Sequence, residues 1–266
     1  RLATAGIHRG DAKAATQVQA RGTMTCQSPT RSARLTATLP VQPTPSPAPR
    51  VGGLVLAAGA GSRMGHRPKC LLQIDGVSLL ERQLQALSLA GVTPIAVVLG
   101  HHAERILEDG ALARWAAQPV RNPQPDDGHV SSLRIGLRAL PPGLDAVVVA
   151  LADQPLIDVH AVQALLKAFA QRPAGTALLQ PSVQGLPGNP VVFSGAVMVQ
   201  ILASDDHMGV RPWQRVHPAA VYHWETPHGH YRLDVDNEED RLAVEQLTGQ
   251  SLRWPHDLER STRPTP

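Results

Sequence analysis

The segment Leu56-Ala-Ala-Gly-Ala-Gly-Ser-Arg-Met-Gly-His-Arg-Pro-Lys69 grows directly out of the apolar run Gly53-Leu-Val-Leu-Ala-Ala58, and this junction sets the architecture. A short buried strand that breaks into glycines and small residues opens a βα unit. Glycines and a serine in a tight turn can aim successive backbone N–H groups at a polyphosphate. Arg63 and Lys69 add fixed positive charge beside it. Two familiar phosphate motifs do not fit. A P-loop requires Gly-Lys-Ser/Thr, but Gly65 is followed by His66 and Arg67. A dinucleotide fingerprint requires glycine where Met64 stands and an acid closing the second strand, where Gly100 and His101 stand.

Downstream, short apolar runs alternate with helical patterns, which predicts an α/β fold with a mostly parallel central sheet. A helix opens with Ser78 and Glu81 spaced as a capping box, carries Leu80, Leu84 and Leu87 on one face, and closes at Gly91. Strands follow at Ile95–Leu99 and near Val120. A helix is expected from Ser131 to Leu140. The run Ala146–Leu151 is the most apolar in the chain and reads as a central strand buried on both faces. Asp158 caps a helix striped with Val162, Leu165, Leu166 and Phe169. Short strands near Ala177–Leu179 and Pro190–Phe193, a mixed region to about Arg232, and a helix from Glu238 to Leu247 complete the domain.

Two acidic motifs join the glycine turn. Leu151-Ala-Asp-Gln-Pro155 ends the most buried strand, so Asp153 faces the crevice beyond the carboxyl ends of the strands. In Asp234-Val-Asp-Asn-Glu-Glu-Asp240, alternation along a strand turns Asp234 and Asp236 to one side. Magnesium favours a pair of carboxylates completed by phosphate oxygens and water, and Asp153 with Asp236 form a candidate pair. Plainer readings exist for each. Asp153 can cap a turn before Pro155, and Asp236 can be a helix-entry acid, as Glu238, Glu239 and Asp240 are taken to be. The pairs His101-His102 and His228-Gly-His230 lack a third ligand for zinc. Cys70 beside Lys69 reads as a small apolar residue rather than a reactive thiol.

The composition excludes other classes. Of 266 residues 42% are hydrophobic and only 3% aromatic, so the chain can bury an aliphatic core. The net charge of +3 comes from residues 1–50, which carry seven Lys/Arg and one acid, leaving 18 basic and 21 acidic residues beyond them. That distribution and the lack of basic runs interleaved with aromatics argue against nucleic acid. No apolar run approaches the roughly 20 residues that span a bilayer. The expectation is a cytoplasmic protein without membrane contact, made of a disordered Pro/Arg-rich tail and linker (1–50), one domain (51–256) and a disordered C-terminal tail (257–266).

Taken together and in order, these motifs resemble the molybdenum cofactor nucleotidyltransferases, the guanylyl- and cytidylyltransferases grouped as MobA-like, over roughly residues 52–250. The matching pieces are Leu56-Ala-Ala-Gly with Ser62-Arg-Met-Gly and Lys69; Asn122 followed by Gly128 and Ser131-Ser-Leu; Leu151-Ala-Asp-Gln-Pro; Gly188-x-Pro190 before Val191-Val-Phe; Asp206-x-x-Gly209-x-Arg211; and Asp236-x-x-x-Asp240. The resemblance implies a Rossmann-like three-layer sandwich of the nucleotide-diphospho-sugar transferase type. It further implies a nucleotide site of Leu56, Ala57, Ala58, Gly59, Gly61, Ser62, Arg63 and Lys69, with Gly100, Asn122, Gly128 and Ser131 around base and ribose. Arg63, Lys69 and Asp153 would act on the phosphates, and Asp153 and Asp236 would hold Mg²⁺. The implied partners are CTP or GTP, a molybdopterin-type phosphorylated acceptor, and a molybdenum hydroxylase or its chaperone. Gln154 and the segment around Trp213 are candidate acceptor contacts. The cytidylyltransferase branch usually reads Arg-Gly-His-Pro where this chain has Pro187-Gly-Asn-Pro190. The alternatives are a sugar- or polyol-phosphate nucleotidyltransferase and a non-catalytic molybdenum cofactor chaperone or insertion factor.

Overall fold

The computed structural model describes residues 48–260. The expected tail up to residue 47 and the last residues, 261–266, lie outside the described residues. In chain order the strands are β1 (Val51–Ala57), β2 (Gln73–Ile74), β3 (Val77–Ser78), β4 (Ile95–Leu99), β5 (Gln118–Arg121), β6 (Ala146–Leu151), β7 (Leu178–Val183), β8 (Leu186–Pro187), β9 (Val191–Ser194), β10 (Val221–Glu225) and β11 (Leu252–Arg253). The helices are α1 (Leu79–Leu89), α2 (Ala103–Glu108), α3 (Ala111–Arg114), α4 (Gly128–Ala139), α5 (Val159–Ala170), α6 (Gly195–Ala203), α7 (Val210–Val216), α8 (Glu238–Thr248) and α9 (His256–Arg260).

The main sheet runs β10-β7-β9-β6-β1-β4-β5, with β8 paired to β7, and a small sheet runs β11-β2-β3. Strands β5, β4, β1 and β6 are parallel neighbours, as the alternation of apolar runs and helices requires. β9 is inserted antiparallel between β6 and β7. The central strands show why the core has two halves. Successive side chains of a strand point to opposite faces. Val55, Val97 and Val148 therefore join α1 and α5 through Leu80, Leu84, Val162 and Leu165. Leu54, Val98 and Val147 join α4, α6 and α7 through Leu133, Leu137, Val197 and Trp213. Continuous apolar runs, rather than alternating ones, are the price of covering both faces.

Chain order explains where a ligand can sit. β1 lies between β4 and β6; the chain goes on from β1 to β4 on one side and from β6 to β7 on the other, so a crevice opens at the carboxyl ends of β1 and β6. The glycine turn leaves β1 there and the Asp153 turn leaves β6 there.

Local signals hold in detail. Ser78 accepts a hydrogen bond from the Glu81 amide, but the reciprocal half of the box is missing, because the Glu81 carboxylate binds Arg114 and Trp115 instead. Asp158 accepts from the Ala161 amide at 2.8 Å and caps α5 as expected. The helix expected from Ser131 starts three residues earlier, at Gly128. The mixed region resolves into α6, α7 and β10. Helix α9 runs past the expected boundary at residue 256. No helix among the described residues is long and apolar enough to cross a membrane.

A buried arginine locks one flank. Arg134 on α4, its side chain 4% exposed, fans its guanidinium over the carbonyls of Ile201, Leu202, Ser204 and Met208, with Asp206 at 3.3 Å. It thereby satisfies the orphan carbonyls at the end of α6 and pins the loop into α7. Arg134→Met should lower the unfolding free energy by about 2–4 kcal/mol, because four carbonyls lose a charged donor in a dry setting. Urea denaturation measures it, and an unchanged midpoint would show that the loop holds itself.

Candidate active site

The crevice is a cleft of about 610 Å³ lined by the glycine turn, the first turn of α4, the end of β6, and residues of β7, α7 and the segment before α8. The glycine turn is shaped by Gly61, whose φ is +63°; a Cβ there would lie 2.0 Å from the Arg67 carbonyl oxygen. Its own carbonyl accepts from the amides of Met64 and His66. Among the described residues the backbone N–H groups of Gly59, Ala60 and Gly61 donate no hydrogen bond. They remain free at the cleft wall, the arrangement that binds anions. Gly61→Ala should weaken nucleotide binding at least about tenfold, since an alanine would carry both left-handed strain and a backbone clash. Titration calorimetry tests this, and wild-type affinity would refute the cradle.

At the far end of the turn, Arg67 donates Nε–H to the Met64 carbonyl and stacks its guanidinium over Trp254, anchoring the loop to a smaller hydrophobic cluster that includes Met64, Leu72, Val235 and Val244. His102 places Nε2 3.0 Å from the Ala60 carbonyl oxygen and braces the turn from β4's exit. Nothing in the sequence beyond nearness to Gly100 points to that role.

Lys69 is the centre of the charged end. Its ammonium is ion-paired with Asp153 Oδ2 and lies 2.5 Å from Asp236 Oδ1, while Arg63 Nη2 lies 2.8 Å from Asp236 Oδ2. The Lys69 side chain is 23% exposed, Asp153 13% and Asp236 32%, so these charges interact at the edge of the core rather than in bulk water. Burial works against the charged lysine, but Asp153 and Asp236 outweigh it and hold Lys69 above its ordinary value. Partial burial pushes Asp236 up, and Lys69 and Arg63 overcome it, leaving the carboxyl below the ordinary range. Asp234 goes the other way, raised by burial and then by Asp153 and Asp236.

These directions fix a pH response. The contribution of the depressed Asp236 is present above the ordinary carboxylate value and is lost as pH falls through its lowered one. That of the raised Lys69 is present below the ordinary lysine value and is lost as pH rises through its raised one. The difference in Tm between wild type and Asp236→Asn should therefore be flat from about pH 5 to about pH 9 and shrink outside it. A monotonic change across that window in thermal melts would contradict the pairing.

The segment carrying Asp234 and Asp236 is not a strand, contrary to expectation. It is anchored in the middle by a hydrogen bond from the Val235 amide to the Asp153 carbonyl at 3.0 Å, and Val235 is fully buried. One anchored residue is enough to turn Asp234 and Asp236 to the cleft on either side of it. Asp236 is not the helix cap. Asn237 is, in a reciprocal box with Asp240, whose Oδ2 also accepts from the Asp236 amide at 2.9 Å. The Asn-x-x-Asp spacing was the available signal.

The cleft is lined by Leu56, Ala57, Ala58, Gly59, Gly61, Ser62, Arg63, Lys69, Gly128, Asp153 and Asp236. Gly100, Asn122 and Ser131 stand behind that wall. A Cβ at Gly100 would lie 2.5 Å from the Ala58 carbonyl oxygen, so glycine lets β4's exit pass under the turn. Asn122 is buried, donates to the Ser131 and Ser132 hydroxyls and accepts from the Gln124 amide, tying the exit of β5 to α4. Gln154 is buried too: it donates to the Asn189 and Tyr231 carbonyls, and its own carbonyl accepts from Gln83. It ties the segments of Asn189 and Tyr231 together and does not line the cleft. Trp213 is buried, but its neighbours Val210, Arg211, Pro212 and Gln214 line the cleft.

The cysteine and histidine alternatives resolve as structure. Burial, then Asp153 and Asp109, push the Cys70 thiol up to about 12, which makes it a poor nucleophile. His101 faces Asp126 at 3.0 Å, and His228 stacks on His230. Among the described residues no group of three or more His, Cys, Asp or Glu is placed to hold a metal alone. A site completed by substrate is different. Asp153 Oδ1 is buried without a hydrogen-bond partner, and the carboxylate pair offers the hard oxygen donors that suit a divalent cation such as magnesium.

Comparison with known proteins agrees with this geometry. The model of the MobA-like NTP transferase domain matches residues 53–221. The bifunctional protein GlmU of Mycobacterium ulcerans is 30% identical over 221 residues, covering 76% of this chain and 44% of that protein. The chain thus spans less than half the length of the curated relatives it matches. Among solved structures, Rv0371c from Mycobacterium tuberculosis H37Rv is 25% identical with a TM-score of 0.60, covering 75% of this chain and 99% of that one. A nucleotidyl transferase from Methanothermobacter thermautotroptrophicus is also 25% identical, with a TM-score of 0.59 and coverage of 74% and 97%. With its sheet order, glycine turn and acidic pair at one crevice, the chain belongs to the family of MobA-like NTP transferase domains.

Proposed function

We propose that the protein transfers the nucleotidyl group of CTP or GTP to the phosphate of a molybdopterin-type acceptor and releases pyrophosphate. The observation that carries the reading is that one cleft is lined both by turn residues whose backbone N–H groups donate no hydrogen bond and by Lys69, Asp153 and Asp236. An oxygen of the acceptor phosphate forms a bond to the α-phosphorus as the bond to the bridging β-oxygen breaks, and pyrophosphate leaves with that electron pair. The attacking oxygen is already ionised, so no general base is needed. The glycine turn orients the triphosphate, and Arg63 and Lys69 neutralise charge that grows toward the β-phosphate. Asp153 and Asp236 would hold Mg²⁺, which supplies Lewis-acid polarisation of the phosphate oxygens when bound.

In the free protein Lys69 and Arg63 together balance the two carboxylates, so nucleotide and metal are expected to enter together, each taking one set of partners. A molybdenum hydroxylase or its chaperone is the receiver this reading implies. The loss of the basic residue and histidine at Pro187 and Asn189 favours a second reading, a sugar- or polyol-phosphate acceptor. Pyrophosphate release by the full chain with Mg²⁺, each of CTP, GTP, ATP and UTP, and molybdopterin or sugar phosphates separates the two. Release with CTP or GTP only when molybdopterin is present supports the first reading. Release only with a sugar phosphate supports the second. Nucleotide binding with no release for any acceptor would favour a non-catalytic carrier.

A further inference from the structure

The cations that line the cleft are not equivalent. Arg63 and Lys69 are each matched by a carboxylate, whereas Arg211 is exposed, lines the same cleft, and makes no hydrogen bond or ion pair among the described residues. The cleft carboxylates Asp153 and Asp236 pair with Lys69 and Arg63 and not with it. The same cleft is also lined by the uncharged Gln180, Pro187, Asn189, Val191 and Gln214.

An unpaired surface arginine is ordinarily a solvated one. Here its backbone is held from several sides. Gln214, three residues on and hence on the same face of α7, donates to Gln180 Oε1 at 2.9 Å and ties that face to β7. Trp213 is buried and donates to Gln200 Oε1 at 2.8 Å. Arg134 fixes the loop that enters α7 from beneath. A cation is thus carried on a locked element that lines the cleft, and no side chain among the described residues pairs with it.

We infer that Arg211 binds the phosphate of the acceptor, which makes the acceptor a phosphate monoester with an uncharged, hydrogen-bonding body. This rests on the transfer reading above. The guanidinium fork suits two phosphate oxygens, leaving the third to attack the α-phosphorus while pyrophosphate departs. The amides of Gln180, Asn189 and Gln214 provide donors and acceptors for the body. Arg134 is a positioning residue in this scheme.

Inorganic phosphate serves as the probe, titrated by calorimetry into the full chain saturated with Mg²⁺ and α,β-methylene CTP or GTP, which fills the triphosphate subsite without turnover. Arg211→Ala should weaken phosphate binding about tenfold or more, and Arg211→Lys should restore part of it, as a point charge replaces a fork. Affinity for the nucleotide analogue should stay within about twofold, which excludes a folding defect. Equal phosphate affinity in wild type and Arg211→Ala overturns the assignment, and so does a wild type that binds the analogue but not phosphate. Failure of wild type to bind either analogue overturns the transfer reading itself.

Discussion

Lys69→Ala should lower kcat/KM for nucleotidyl transfer by at least about 100-fold, the cost of removing one preorganised charge from the reacting phosphates. The argument rests on position. Lys69 is the residue that touches both Asp153 and Asp236, at the meeting point of the glycine turn and the two acidic segments. Its removal also leaves two carboxylates facing each other without the ammonium between them. The variant should therefore lose thermal stability without ligand and regain some of it when Mg²⁺ is added, because a metal can neutralise the same pair. Lys69→Arg should not rescue the rate, since a planar fork cannot replace a compact ammonium between two acids. Activity within tenfold of wild type in Lys69→Ala, with an intact circular dichroism spectrum, would remove Lys69 from the chemistry.

Asp153→Asn is the second large effect, and its signature is different. The substitution keeps shape and removes charge at a side chain whose Oδ1 is buried without a partner. Activity should fall at least about 100-fold, as magnesium loses one of its two carboxylates. Stability of the ligand-free protein should not fall in parallel. The asparagine no longer buries a charge, and Lys69 keeps Asp236 at 2.5 Å. Catalytic sites commonly hold groups that cost stability, so an unchanged or higher Tm with a collapsed rate marks Asp153 as functional. A large drop in Tm with a proportionate rate loss would instead make it a structural anchor for the Val235 segment. Titration of Mg²⁺ in the presence of nucleotide discriminates further, because metal affinity should weaken in Asp153→Asn and stay near wild type in Gly61→Ala once nucleotide is saturating.

These two residues were visible early because their signals are local. A glycine turn after a strand and an acid at the end of the most buried strand need no knowledge of the rest of the molecule. Asp153 is placed by the strand that carries it. The readings that changed involve groups whose role depends on distant partners. Asn122 looked like a ligand contact and is buried against Ser131 and Ser132. Gln154 looked like an acceptor contact and bridges Asn189 and Tyr231. A polar side chain in a motif has the same letter whether it meets substrate or satisfies a backbone carbonyl, and burial alone separates the cases.

Residue pattern alone established the α/β class, the parallel strands β5, β4, β1 and β6, the helices α1, α5 and α8, and the glycine turn after β1. Each of these follows from periodicity, capping or backbone sterics within a dozen residues. The antiparallel insertion of β9, the bracing of the turn by His102, the contact of Lys69 with two acids at once, and the lack of an ion pair at Arg211 on a locked α7 came from the folded chain. They join residues as far apart as Lys69 and Asp236, 167 positions along the sequence, and such pairings depend on which surfaces the core brings together. Local patterns specify elements, whereas charge balance at a cleft is a property of the packing that assembles it.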